Sequence, residues 1–279
     1  MGHEREAHYE LLPETRALIA AVERQSGRAV VVRADPQVAS RGRAIYVVSD
    51  PDVSRHLVLY DPLERRHLDH LIAHEVGHAF HFSEASPDDR RVPVLTAERR
   101  AQAIHQLAPE FEPLLGRGLS PHAIAEVVPL WLSGTVAQLS DTPSDIRIER
   151  WLFQRHAGLR APQRASLLDQ VRTLQRVLTP AVERVTPRSV WLASNAMNYV
   201  LAKTVAEILS VPGAVRPYLG TRAQALGEEL IPLAEGHSDQ RLAGDRRVTD
   251  AWAAHLGFTD WFEWRRVDEL PGHARIALE

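Results

Sequence analysis

The stretch HLDHLIAHEVGHAFHF, residues 67–82, decides how the rest of the chain is read. Leu68, Ile72, Val76 and Ala79 recur at helical spacing, and His67, His70, His74, His78 and His81 fall within about an 80° arc of the same helix at 3.6 residues per turn. One helix thus carries both an apolar stripe and an imidazole stripe. His74 and His78 flank Glu75 in HEVGH, the H-E-x-x-H pattern. Two imidazoles at i and i+4 meet about 6 Å apart on one face, the reach needed to share a tetrahedral Zn²⁺. Glu75 sits about 100° round the helix, where it is not a ligand but can take a proton from water activated by the metal. His67 and His70 come one or two turns too early, and His81 lies about 10 Å along the axis from His74. His70 and His81 read as capping residues, as partners of the ligands, or as contacts to substrate. Gly77 is a poor helix residue, expected where another element packs closely.

The setting fits such a site. The chain has 279 residues, 44% hydrophobic and 25% charged, an ordinary globular composition. A net charge of −3 gives no overall attraction to nucleic acid or anionic lipid, so neither is expected as a partner. There is no cysteine, which excludes zinc fingers and a cysteine nucleophile and leaves His, Asp and Glu to build any metal site. The N-terminal stretch is charged and amphipathic without the apolar core of a signal peptide, and no run reaches 18 uninterrupted apolar residues. The expected location is the cytoplasm.

Outward from the histidine helix, 13–25 reads as a helix, and AVVVRA (29–34), RAIYVV (43–48) and HLVLY (56–60) read as three strands, with a turn at 51–55. DPLERR starts the histidine helix, with Asp61 as cap and Pro62 at the first position. After residue 84 no strand is expected. Helical segments near 95–107, 120–139, 143–156, 164–185, 188–210 and 221–235 precede a Trp-rich end, whose Trp252, Trp261 and Trp264 read as packing residues. The expected fold is α+β and mostly helical: a small N-terminal three-stranded sheet and the HEVGH helix in 1–83, then a helical part in 84–279.

A third ligand must come from that helical part. In SDTPSDIRIERWLFQRH, Thr142 reads as an N-cap, Pro143 as the first helical residue and Asp145 as the acidic member of a capping box. Asp145, Ile146, Glu149, Leu152, Phe153 and His156 then share one face. Glu149 sits mid-stripe among apolar residues, where a carboxylate must be paired, protonated or bound to a cation. Glu149 is the preferred ligand, Asp145 the alternative or a partner of a ligating histidine, and Glu126 a weaker choice. Glu98 is explained as a first-turn acid. For an oxyanion stabiliser the candidate is Tyr199, which shares a face with Asn195 and Lys203 opposite the stripe Val190, Met197, Leu201 and Ile208.

Helix, small sheet, H-E-x-x-H helix and a later helix bearing a carboxylate, in that order over residues 13–156, resemble the zincin metallopeptidases and look most like the minimal gluzincins. The resemblance implies a zinc-dependent peptidase acting on a peptide or protein, with His74, His78 and Glu149 on Zn²⁺ and Glu75 as general base. It also implies that HLVLY is the sheet edge beside an extended substrate. The alternative is a catalytically silent, zinc-bound regulatory or interaction module on the same fold.

Overall fold

Pro13 at the first position and Gly27, left-handed at φ +67° just past the end, bracket helix α1 (Pro13–Ser26). The structure is a computed structural model that describes residues 10–40, 43–47, 55–236 and 241–270. Strands β1 (Ala29–Ala34), β2 (Ala44–Val47) and β3 (Arg55–Tyr60) form a sheet in the order β1-β3-β2, with β1 parallel and β2 antiparallel to β3. The expected turn at 51–55 lies, apart from Arg55, outside the described residues. HLVLY is therefore the central strand and not the edge. Both of its ladders are used, His56 and Val58 are buried, and the edge strand that packs on the histidine helix is β2.

That helix, α2 (Leu68–Glu84), starts six residues later than expected. The Asp61 carboxylate does not cap it; it accepts the Leu63 N–H while the Asp61 carbonyl accepts that of Glu64, closing a turn. Asp69 in the first turn of α2 accepts the Leu12 N–H at 2.6 Å and the Thr15 hydroxyl at 2.8 Å, which fastens the start of α1 to the start of α2.

Two strands were not expected after residue 84. β4 (Arg91–Val94) and β5 (Glu263–Arg266) pair antiparallel across the length of the chain. Between them come α3 (Ala97–Gly116), α4 (Pro121–Arg155), α5 (Arg160–Leu174), α6 (Pro180–Val185), α7 (Arg188–Leu209), α8 (Arg222–Glu235) and α9 (Leu242–Leu256). The chain is mostly helical with one small three-stranded sheet and one two-stranded ribbon.

The most consequential difference is α4. Thr142 and Pro143 do not begin a helix; they lie inside one that runs unbroken for 35 residues. A proline within a helix cannot donate to the carbonyl four residues back, here Leu139. Thr249 on α9 donates its hydroxyl to that carbonyl at 3.1 Å, satisfying the orphaned acceptor and letting the helix continue. By length and apolarity α4 could cross a membrane, but Leu132, Val136 and Leu139 are buried in a core with α7 and α9, while Ile148 and Leu152 are buried in a second core with α1, α2 and the sheet. The second core also takes in Val92, Leu159 and Val267 from beyond residue 84, and α4 serves both cores.

Candidate metal centre

The close approach of α2 and α4 begins at Gly77. A Cβ built there would stand 2.9 Å from Cγ2 of Ile148, so only glycine lets the helices come this near. At that spacing two ladders face each other in antiparallel sense: His70, His74 and His78 on α2, and Asp141, Asp145 and Glu149 on α4.

At the solvent-accessible end, His74 Nε2 and His78 Nε2 are 3.1 Å apart, and Asp145 Oδ1 is 3.3 Å from the first and 3.2 Å from the second. At the buried end, Glu149 accepts the Nδ1–H of His74 at 2.7 Å with Oε1, and holds His70 Nε2 at 3.0 Å with Oε2. Gln163 on α5, fully buried, donates to the same Oε2 at 2.6 Å and to the Glu149 carbonyl at 2.9 Å. Two groups therefore have the composition and spacing to hold a cation: His74, His78 and Asp145, and His70, His74 and Glu149.

Their chemistry differs. In the first, a ring nitrogen of each histidine and a carboxylate oxygen converge within 3.1–3.3 Å, close to the roughly 3.3 Å between neighbouring ligand atoms on a tetrahedral zinc with bonds near 2.0–2.1 Å. Because His74 Nδ1–H is given to Glu149, its Nε2 is the nitrogen that would meet a cation, which displaces any proton held there. In the second, each contact is an imidazole N–H on a different carboxylate oxygen, and the Gln163 amide fills the remaining valence. The residues of the first group have the spacing that zinc requires; in the second, Glu149 also orients His74 through its Nδ1–H bond.

The electrostatics agree. Burial opposes a proton on His74, but its hydrogen bonds to Asp145 and Glu149 outweigh burial and raise its pKa well above the ordinary value. Burial would lift Asp145, yet His74 and His78 hold it down at about 2; His70 and His74 likewise hold Glu149 far below the carboxylate range. Asp141 goes the other way, raised by burial and then by the charge of Asp145. The site wants positive charge among its carboxylates.

Glu75 turns toward the sheet, its carboxylate accepting the Tyr46 N–H on β2 at 2.5 Å. The Tyr46 hydroxyl in turn meets His56 Nδ1 at 2.9 Å. Tyr46, His78 and Asp141 line a small cavity of about 80 Å³.

Other expected residues fall elsewhere. Tyr199 is buried between α7 and α8 with its hydroxyl on Glu228 and its ring against Tyr218, so it is not brought to the histidines. Asn195 is buried too, and only Lys203 of that face reaches a cavity wall, where it pairs with Glu228. Glu126 is exposed and paired with His122. Glu98 lies in the first turn of α3 as expected. His67 stands at the N-cap position of α2 without capping it, near Asp169. His81 stacks edge-on against Trp151 and pairs with Glu84. The reading of the sequence missed Asp141, although it is one turn before Asp145, and Gln163, which carries no local signal.

No protein-family model, curated protein or solved structure matches this chain.

Proposed function

We propose that the chain is a zinc-dependent peptidase of zincin type, with His74, His78 and Asp145 as the protein ligands and Glu75 as general base. The observation that carries this reading is the triangle of two H-E-x-x-H imidazole nitrogens and one carboxylate oxygen, 3.1–3.3 Å on each side, with part of each side chain open to solvent. Asp145 takes the place that the sequence assigned to Glu149, because it needs no role at a helix start that α4 does not have.

Zinc bound there would supply Lewis acidity to a water molecule and to the scissile carbonyl. The protein supplies the rest. Glu75 takes a proton as the water oxygen bonds to the carbonyl carbon, and gives it to the leaving amine nitrogen as the C–N bond breaks. Glu149 fixes the His74 tautomer and ring plane through the Nδ1–H bond, and His70 and Gln163 fix Glu149. The Glu75 carboxylate rests on a main-chain N–H of β2, so an extended peptide added along β2 would run beside the base. Glu75 also argues against a silent module, since a purely structural site needs the histidines and not this glutamate.

Metal analysis tests the assignment. About one zinc per chain is expected, lost in His74→Ala, His78→Ala and Asp145→Ala, with Glu75→Gln keeping zinc and losing metal-dependent cleavage of a peptide library. Zinc retained by His74→Ala would overturn the site; zinc retained by wild type with no cleavage of any peptide would leave the module.

A further inference from the structure

A second cavity, about 770 Å³, lies between the end of α2, the second half of α4, and α7, α8 and α9. Its volume falls within the 300–1,000 Å³ or so of pockets that enclose a whole small ligand, and is far more than one side chain fills. It meets the small cavity beside His78 and Asp141 at three shared wall residues, His81, Arg147 and Asp245. The two cavities are thus neighbours across a shared wall, which puts the larger one beside the His78 end of the candidate site.

The walls state what it takes. Phe80, Ile146, Trp151, Val200, Ile231 and Val248 supply an apolar surface, and Trp252 lies beneath. The charged residues cancel: Arg147, Arg150, Arg155 and Lys203 against Glu84, Glu207, Glu235 and Asp245. Most are already engaged, Arg147 in a two-pronged bond to Asp245, Arg150 with Glu207, Lys203 with Glu228, and Glu84 with His81. An occupant therefore meets no surplus charge of either sign, and the favourable term is removal of apolar surface from water.

We infer that this cavity is the specificity site of the protein and binds a short, uncharged segment of the substrate peptide carrying large aliphatic or aromatic side chains. Its role in selecting substrates rests on the peptidase reading above; its ability to bind such a segment does not. Recognition works by area, so specificity is for bulk and apolarity and not for one residue type. Ala234 on α8 is a small wall residue through which the cavity can be closed without touching α2 or the ligands.

Binding is measured by calorimetry on zinc-free Glu75→Gln full-length protein, using a capped pentapeptide with leucine and phenylalanine at its three inner positions and a second with serine and glutamate there. The apolar peptide should bind about tenfold or more tightly than the polar one. Ala234→Trp, which fills the space, and Ile231→Glu, which adds a charge to it, should each weaken the apolar peptide by about tenfold, with circular dichroism and zinc affinity as in the parent. Equal binding of the two peptides overturns the inference, as does unchanged binding in whichever of the two variants folds. Apolar binding by a protein that hydrolyses nothing when zinc-loaded defeats the peptidase reading alone. Zinc-dependent cleavage indifferent to side-chain apolarity and to Ala234→Trp defeats this inference alone.

Discussion

Gly77→Ala adds one methyl group at the place where α2 and α4 touch, and its effect follows from three distances. The new carbon would lie 2.9 Å from Ile148 Cγ2, 3.4 Å from Trp151 Cζ3 and 3.7 Å from Ile148 Cγ1. Carbon pairs are most favourable at about 3.5–4.0 Å, so the closest contact is short by about 0.6–1.1 Å while the other two are near normal. Ile148 has no exposed surface and no room to turn away. Overpacking of this kind costs about 1–3 kcal/mol, against about 1 kcal/mol gained by replacing a helical glycine with alanine. A net loss of about 1 kcal/mol should lower the Tm of the metal-free protein by roughly 2–4 °C. The larger effect is on the metal. Relief requires α2 and α4 to separate, which stretches the two edges of the ligand triangle that cross between the helices, 3.2 and 3.3 Å, and leaves the His74 to His78 edge alone. Because zinc bonds stay near 2.0–2.1 Å, affinity should fall by about tenfold or more in competition with a chromophoric chelator. Gly227→Ala is the control: more crowded still, 2.5 Å from Tyr199 Cδ1 and 2.9 Å from the Ala196 carbonyl oxygen, but between α7 and α8. It should lose stability and keep its zinc affinity. Gly77→Ala binding zinc as tightly as the parent, or Gly227→Ala losing as much, would refute the argument that this contact sets the site.

Glu149→Gln should lower zinc affinity by about 10–100-fold without abolishing it, since Glu149 orients His74 and does not ligate; complete loss of zinc would make it a ligand. In the metal-free protein, His74 has a raised pKa, so its contribution is fully present below the ordinary 6.5 and is lost as pH rises through the elevated value; Asp145 and Glu149 are lowered, so theirs is present above the ordinary 3.8 and 4.5 and is lost as pH falls. His56 and His81, lowered by burial to about 4 and about 3, withdraw stability below 6.5 on their own account, so the test is the difference in thermal scans between the metal-free parent and metal-free His74→Ala: it should shrink as pH rises above 6.5, and a difference that does not shrink would contradict this charge assignment. Tyr199→Phe should leave zinc affinity and any hydrolytic rate within about twofold, because its hydroxyl serves Glu228; a fall of tenfold in rate with a normal Tm would return Tyr199 to the site.

Much of the fold is legible because its elements announce themselves locally. α1 has Pro13 and Gly27 as brackets, α7 ends within one residue of its expected boundary, and the first three strands are β-branched runs between breakers. The failures share a cause in distant contacts. RVPV carries a proline that argues against a strand, and EWRR is nearly all charged, yet they pair because the fold brings these two distant segments together. The apolar run HLVLY reads alike for a central or an edge strand, and only its two partners decide. Asp61 has the residue type of a cap but spends its carboxylate on a turn.

The site turned on one proline. His74, Glu75 and His78 are fixed by spacing alone, but the rank of the acids depended on whether Thr142 and Pro143 begin a helix, and locally they have every feature of a start. The contact that overrules them comes from Thr249, more than a hundred residues later. With α4 continuous, Asp141, Asp145 and Glu149 become an i, i+4, i+8 ladder that opposes the i, i+4, i+8 ladder of His70, His74 and His78. The ladders are offset, since Glu149 engages His70 and His74 and Asp145 engages His74 and His78, which leaves Asp141 beyond the last histidine, accepting the Ser140 hydroxyl. Carboxylates thus outweigh the imidazole charge at the Glu75 end. In the metal-free protein that excess raises the pKa of both His74 and Asp141. A dication among His74 Nε2, His78 Nε2 and Asp145 Oδ1 would offset it instead, at a point where the acceptors lie as far apart as zinc requires.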